Sequence, residues 1–333
     1  MPTGLIGIAD GYVTNQVQLL SAIDDELDVF NGFTPRFLDE LCFEITQETT
    51  RVYQGAGSFD NYAEGTNADR QRGQRRIITT PLHAYQRMTE WSKIGIRSVR
   101  EEEIRQEIDA AMAADMEKRL GLFFYQMFTK RAVTTVETAA RTAFYNGELD
   151  VPNYGNNTFE GTAHYHYLGL NTTTLTKAHI DACVEDLAEH GYEGPYYAFF
   201  NPAQESDVMA LFNPGSAIPF GTAMAQRAID MGFHTTGVVY NGCEFVFTAM
   251  VPSGYFAVVE RSKFMNKRVD LLPEYRGLVM SRGGDYNNPM VGAEWLRTIG
   301  FSVRHLGAGT CRQLVGSTTY TNPTFAARLR PAA

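Results

Sequence analysis

His164 and His166, one residue apart, are the pair whose types and spacing most directly suggest chemistry. Side chains alternate along an extended chain, so residues two apart share a face. Two imidazoles on one face are what a zinc-type metal site asks for. The pair stands in TAHYHYLGL, with Tyr165, Tyr167, Asn153, Asn156 and Asn157 around it, and no Cys or carboxylate lies at ligand spacing nearby. Packing at a surface or an interface is therefore the preferred reading, and no metal ligand, catalytic residue or cofactor-binding residue is assigned. Cys42, Cys183, Cys243 and Cys311 are scattered and form no CxxC. They read as free thiols of a reducing compartment, supporting neither a disulfide framework nor a zinc site. Asp10, Asp24 and Asp25 belong to a solvated N-terminal arm. The chain has no GxSxG elbow, no GxxxxGK[ST] loop and no GxGxxG after a strand. Nothing assembles a nucleophile, a base and an oxyanion donor, so the chain reads as no enzyme.

The charged stretch with most content is ADRQRGQRR, which carries Arg70, Arg72, Arg75 and Arg76. It fits a solvated loop. A nucleic-acid patch would want aromatic side chains interleaved as stacking platforms, and none is interleaved here. A third reading is docking on an acidic surface, such as Glu101, Glu102, Glu103 and Glu107 at the start of a long helix. The arginines sit at the tip of an excursion that should point away from that helix, so the docking would join two subunits.

That long helix is the element around which the others must be arranged. Residues 98–130 contain no proline, and only Gly121 weakens the run. Ser98 with Glu101 forms a capping box, and Glu101, Glu102 and Glu103 suit the positive end of the helix dipole. Ile104, Ile108, Met112, Met116, Leu120, Phe124 and Met127 recur at three- and four-residue steps and make one apolar stripe. At 1.5 Å per residue the helix would span roughly 50 Å. Its second half becomes apolar almost all round (Leu120, Leu122, Phe123, Phe124, Tyr125), so it should be the more deeply buried half.

On the N-terminal side, residues 16–30 carry an amphipathic pattern through Val17, Leu20, Ile23, Leu27 and Phe30, closed by Asn31-Gly32. Thr34-Pro35 opens a second short helix through Phe37, Leu38, Leu41, Cys42 and Ile45, ending near Thr49 and Thr50. Residues 51–94 form a long two-stranded excursion with strands at 51–53 and 77–80, and residues 55–73 offer almost nothing to a core. Such a hairpin is marginal alone and must lie on something else.

After the long helix, 131–175 is irregular, with TAHYHYLGL as a strand. Residues 176–280 read as an α+β unit. A helix over 177–190 ends at Gly191, and the strand Tyr196–Phe200 follows. Asn201 then caps a helix begun by Pro202, carrying Val208, Met209, Leu211 and Phe212. Asn241-Gly242 predicts a type I′ hairpin between 237–240 and 243–247. Strands follow at Tyr255–Glu260 and 268–272. Residues 293–305 make a long strand, Gly307-Ala308-Gly309 turns it, and 310–316 runs back, before an extended Pro-bearing tail.

The totals agree with a folded globular chain of 333 residues, 44% hydrophobic and 20% charged. No apolar run reaches the ~18 residues of a membrane span, and the start lacks the basic and apolar regions of a signal peptide. The formal charge of −9 argues against a dedicated nucleic-acid binder.

The order of arm, excursion, long helix, α+β unit and returning strands resembles the major capsid proteins of tailed bacteriophages, the Hong Kong 97-type fold. The local stretches FNPAQESDVMALF, VVYNGCEFVF and VPSGYFAVVERSKF carry the same flavour. The resemblance implies an α+β chain with an N-arm (1–50), an E-loop (51–94), a P-domain (95–168, spine helix 98–130), an A-domain (169–285) and returning P-domain strands with the tail (286–333). It implies hexamers and pentamers of many copies, closed into an icosahedral head around double-stranded DNA bound without sequence specificity. It also implies a portal, leaves room for scaffolding or decoration proteins, and implies assembly in the host bacterial cytoplasm. Inter-subunit contacts are expected from the four arginines, the four glutamates and the arm residues Val17, Leu20, Ile23 and Leu27. A-domain loops at 213–221 or 283–289 are expected near the capsomer axes. Some members crosslink an E-loop lysine to a neighbour's asparagine, but no lysine precedes Lys93 here, so no such crosslink is expected. With only residues 1–50 before the excursion, scaffolding is expected to be a separate protein or none. An encapsulin-like compartment shell is the rival of the same architecture. A metal-dependent hydrolase using His164 and His166 is the rival of another class.

Overall fold

The computed structural model describes residues 8–9, 12–13, 16–32, 36–54, 74–92, 101–131, 143–148, 151–159, 163–212, 234–283 and 290–331. Strands β1 (Ile8–Ala9) and β2 (Tyr12–Val13) form a small antiparallel ribbon before helix α1 (Gln16–Gly32). On α1, Ile23 and Leu27 are buried with Ile104, Ile108, Ala111, Leu278 and Trp295. This corrects the expectation for those two residues, because their apolar faces are spent on their own chain's core and are not open to a neighbour. Asn31 fixes the end of α1: its Nδ2 donates to the Leu278 carbonyl at 2.9 Å, and its Oδ1 accepts from the Leu278 N–H at 2.7 Å.

Helix α2 (Arg36–Leu41) is shorter than its periodicity predicts, because Cys42 to Ile45 leaves it as strand β3 (Cys42–Ile45). The strand lies parallel to residues 265–268, and this distant pairing overrides a weak local helical preference. Next come β4 (Thr49–Gln54) and β5 (Gln74–Thr79), paired antiparallel from Thr49↔Thr79 to Gln54↔Gln74. These are the two strands of the expected excursion, and its tip lies outside the described residues. The excursion is shorter than 51–94, since β6 (His83–Ser92) runs back into the body of the protein.

Helix α3 (Glu101–Phe128) is the spine, about 42 Å long at 1.5 Å per residue. Ser98 lies outside the described residues. Ile104, Ile108, Ala111 and Asp115 are buried along the first half. In the second half, residues 119–124 and 126–129 are all buried. Phe123 and Phe124 meet Phe301 and Phe199 edge-on at 6.0 and 5.3 Å, so this half joins elements from both later sheets. The last carbonyls of a helix have no partner within it. Here Tyr167 Oη donates to the Met127 carbonyl at 3.0 Å and Tyr320 Oη to that of Phe128 at 2.7 Å.

Beyond the spine lie β7 (Asn146–Glu148), β8 (His164–Tyr165) and β9 (Tyr167–Gly169). The predicted single strand through TAHYHYLGL is thus broken at His166, with β8 pairing β7 and β9 joining a different sheet. Helix α4 (Lys177–Ala188) leads to β10 (Tyr196–Phe200). Asn201 Oδ1 accepts from the Ala203 N–H at 2.9 Å and caps a 3₁₀ turn starting at Pro202, which runs into α5 (Glu205–Phe212). Strands β11 (His234–Tyr240) and β12 (Cys243–Phe247) flank Asn241 and Gly242, with φ +48° and +75° as a type I′ turn demands. Next come β13 (Tyr255–Glu260), β14 (Met265–Arg268), β15 (Leu278–Gly283), β16 (Met290–Val303) and β17 (Gly309–Gln313). The strand expected at 268–272 therefore sits earlier, at β14.

Two sheets organise these strands. One has the order β11-β12-β10-β13-β17-β9. The other runs β15-β16-β14-β3, with β6 pairing β16 along Met290–Ile299. β16 and β17 are therefore no hairpin: the turn at 307–309 carries the chain from one sheet to the other. Gly300 permits a close crossing, since a Cβ there would stand 1.9 Å from the Pro81 carbonyl oxygen. The tail folds back on the spine, where Lys118 Nζ donates to the Arg328 and Arg330 carbonyls at 2.8 Å each.

Candidate functional site

The break between β8 and β9 brings the predicted histidine pair into a cluster that the spacing alone did not contain. His166 is fully buried, and His164 and His190 are half-buried. Nε2 of His164 lies 2.8 Å from Nε2 of His166, His166 Nε2 lies 3.0 Å from His190 Nε2, and His190 Nε2 lies 2.9 Å from His164 Nε2. The preferred reading of this pair as surface or interface packing is corrected, because one of its rings lies in the interior.

Each ring is held by its own element. His166 sits where its N–H donates to the Tyr145 carbonyl at 2.9 Å and its carbonyl accepts from the Cys311 N–H at 2.7 Å. Its Nδ1 is 2.6 Å from the Gly309 carbonyl oxygen. A carbonyl only accepts, so Nδ1 carries the proton and Nε2 of the neutral ring presents a lone pair. His190 follows α4, which closes with Tyr192 N–H on the Leu187 carbonyl (3.2 Å) and Gly191 N–H on the Ala188 carbonyl (2.9 Å). That is a Schellman closure with Gly191 at φ +82°, the stop that the sequence predicts. The His190 ring is stacked between Phe159 (5.0 Å) and Tyr145 (5.3 Å). Gly307 makes room for it: a Cβ at that position would meet His190 Cγ at 2.7 Å.

Burial, above all, holds His166 well below the ordinary histidine range, with the neighbouring His190 next in effect. His164 is lowered by burial and then by Arg312. Arg312 is itself paired with Asp186. Both rings are thus neutral near pH 7, the form that ligates metals.

A second buried polar centre ties the spine to β16. Arg297 grips Asp115 with Nε at 2.8 Å and Nη2 at 2.7 Å, and Arg119 Nε lies 3.0 Å from the same carboxylate, out of line for a hydrogen bond. The sequence pattern gives no hint of it, since Asp115 lies one position away from the apolar stripe at Met116.

The other expected contact residues are scattered. Arg70 and Arg72 lie outside the described residues, as do the loops 213–221 and 284–289. Arg75 and Arg76 stand on β5, opposite Tyr53 and Val52. Glu101 opens α3, Glu102 and Glu103 are exposed, and Glu107 meets Arg87 of its own chain at 3.4 Å. Val17 and Leu20 lie on α1. All four cysteines are free and buried, and burial raises the Cys183 and Cys243 thiols to about 12, so neither is a nucleophile at neutral pH. Among the described residues, no helix is long and apolar enough to cross a membrane.

No protein-family model matches the chain, and no curated protein matches it. Solved structures do. A structure of Mycobacterium phage Patience aligns with 96% of this chain and 93% of its own, at TM-score 0.63 and 20% identity. The capsid of the empty GTA particle covers 85% of this chain and 91% of its own, at TM-score 0.54 and 13% identity. The capsid of the native GTA particle gives TM-score 0.53 over the same shares, also at 13% identity. Spine helix, excursion and two sheets along nearly the whole length give this chain the α+β, Hong Kong 97-type fold of phage capsid proteins.

Proposed function

We propose that this chain is the major capsid protein of a tailed bacteriophage, a structural protein that assembles in many copies into an icosahedral head around double-stranded DNA. The observation that carries the reading is the β4–β5 ribbon. It forms a sheet of its own, with no third strand among the described residues. A lone ribbon is marginal in water, and in this reading it lies on the surface of a neighbouring subunit. Leu271, Leu272 and Tyr275, 69%, 49% and 40% exposed on one loop, offer a further apolar contact. Residues 1–50 serve as N-arm, 51–82 as E-loop, 83–168 with 286–333 as P-domain and 169–285 as A-domain, with β17 of the returning segment joining the A-domain sheet and β14 and β15 joining β16 in the P-domain sheet.

Within hexamers and pentamers, Arg70, Arg72, Arg75 and Arg76 dock on the Glu101–Glu102–Glu103 turn of an adjacent spine. Glu107 contributes less, being shared with Arg87. The DNA is held without sequence specificity, a portal occupies one vertex, and assembly takes place in the bacterial cytoplasm. Negative-stain microscopy and light scattering on the purified protein test the reading. Polyhedral shells, tubes or capsomers are expected, with nuclease-protected DNA in particles from infected cells. A monodisperse monomer in every salt and crowding condition, even with co-expressed assembly proteins, overturns it. Shells holding a protein cargo and no DNA replace it with a compartment shell.

A further inference from the structure

We propose that His164, His166 and His190 form a binding site for one divalent transition-metal ion of the zinc class, which pins the end of α4 to the β8–β9 break. The argument begins with a hydrogen-bond count. A neutral imidazole Nε2 has one in-plane position, occupied either by a proton or by a lone pair. His166 Nε2 holds a lone pair, because its Nδ1 proton is committed to Gly309. Three nitrogens with one position each cannot make three hydrogen bonds among themselves. Yet all three edges of the triangle measure 2.8 to 3.0 Å. A single cation facing all three lone pairs satisfies them together.

The dimensions agree. A zinc ion about 2.0–2.1 Å from each nitrogen would see them about 90° apart. A spread of a few tenths of an ångström would bring them to tetrahedral spacing. The fourth side falls toward solvent, since His164 and His190 are only half-buried, and a water can complete the shell. The donor set is imidazole alone, which suits zinc, cobalt, nickel and copper over magnesium or calcium. The surroundings are those of a ligand site. The ring of His166 is oriented by a backbone carbonyl, as metal-bound histidines usually are. His190 is clamped between Phe159 and Tyr145. The nearby positive charge of Arg312 is offset by Asp186. Nothing beside the cluster points to a reaction, so the ion is structural: it joins two chain segments, His164–His166 and His190 24 residues beyond His166, and its binding energy adds to the stability of the fold.

The test uses the full-length protein stripped with a chelator, then dialysed against zinc or cobalt chloride. Elemental analysis should find about one ion per subunit. Cobalt should give visible ligand-field bands, and zinc should raise the melting midpoint by several degrees. His164→Ala and His190→Ala should lose the ion, and His179→Ala, outside the cluster, should keep it. If either cluster variant fails to fold by circular dichroism, the wild-type cobalt spectrum decides alone. Fewer than about one ion in ten subunits, no ligand-field bands, or full stoichiometry in the folded cluster variants overturns the proposal.

Discussion

Replacing Asp115 by asparagine tests how the spine is fixed to the sheet behind it. Asp115, Arg297 and Arg119 have side chains only 3%, 9% and 7% exposed. The substitution keeps the shape, so no cavity term enters, and the change is one of charge. Two guanidinium groups are left in the interior without a counterion. Burial already lowers Arg119 to about 10, with Asp115 opposing that shift and Arg297 adding to it. At an effective dielectric near 20, each attraction lost is worth roughly 4 kcal/mol at 4 Å before desolvation is counted. Measured losses on removing one partner of a buried pair run about 3–5 kcal/mol, and that is the cost expected here. Arg297→Met removes a cation instead and leaves a neutral Asp115–Arg119 pair, so it should cost only about 1–2 kcal/mol. The double variant should be more stable than Asp115→Asn alone, because it removes one stranded charge. Urea unfolding of unassembled subunits, followed by circular dichroism and by the fluorescence of buried Trp295, measures all three. An Asp115→Asn loss below about 1 kcal/mol, or one smaller than that of Arg297→Met, would refute the reasoning.

Phe124 is fully buried, edge-on to Phe123 at 5.1 Å and Phe199 at 5.3 Å, so Phe124→Ala should cost about 3–5 kcal/mol in the same urea assay. Gly121→Ala should favour the helix by up to ~1 kcal/mol. Yet its Cβ would stand 2.8 Å from Leu329 Cβ and 3.0 Å from Leu329 Cα, so the tail should lift and trypsin should cut faster after Arg328. Unchanged cleavage would show that the tail yields without leaving. Burial raises Asp186 from 3.8 to about 6, against the pull of Arg312. A carboxyl raised by folding favours the native state while protonated, and that benefit fades as pH rises through the raised value. Asp186→Asn should therefore gain on the wild type from pH ~4 to ~7, by at most about 3 kcal/mol; a relative loss over that range would mean that the Arg312 pair outweighs burial.

The sequence by itself determined what neighbouring residues decide among themselves. A stripe at three- and four-residue steps makes a helix wherever it occurs, so the spine and its buried second half were legible. Asn241-Gly242, Asn201-Pro202 and Gly191 set backbone angles locally, and the hairpin, the capped turn and the helix stop fell where these residues placed them. Only the tertiary structure decided which distant residues share space. Cys42 to Ile45 became a strand because β14, more than two hundred residues later, offered it a hydrogen-bonding edge. The turn at 307–309 looked like a hairpin, but each flanking strand found its partners in a different sheet. Asp115 was one more polar residue on a helix until β16 set Arg297 against it. Two of the three histidines of the cluster were visible as HxH, and the third carried no signal beyond standing at a helix end. Periodicity and turn chemistry act over a few residues. Burial, charge pairing and a shared set of lone pairs exist only once the chain has closed on itself.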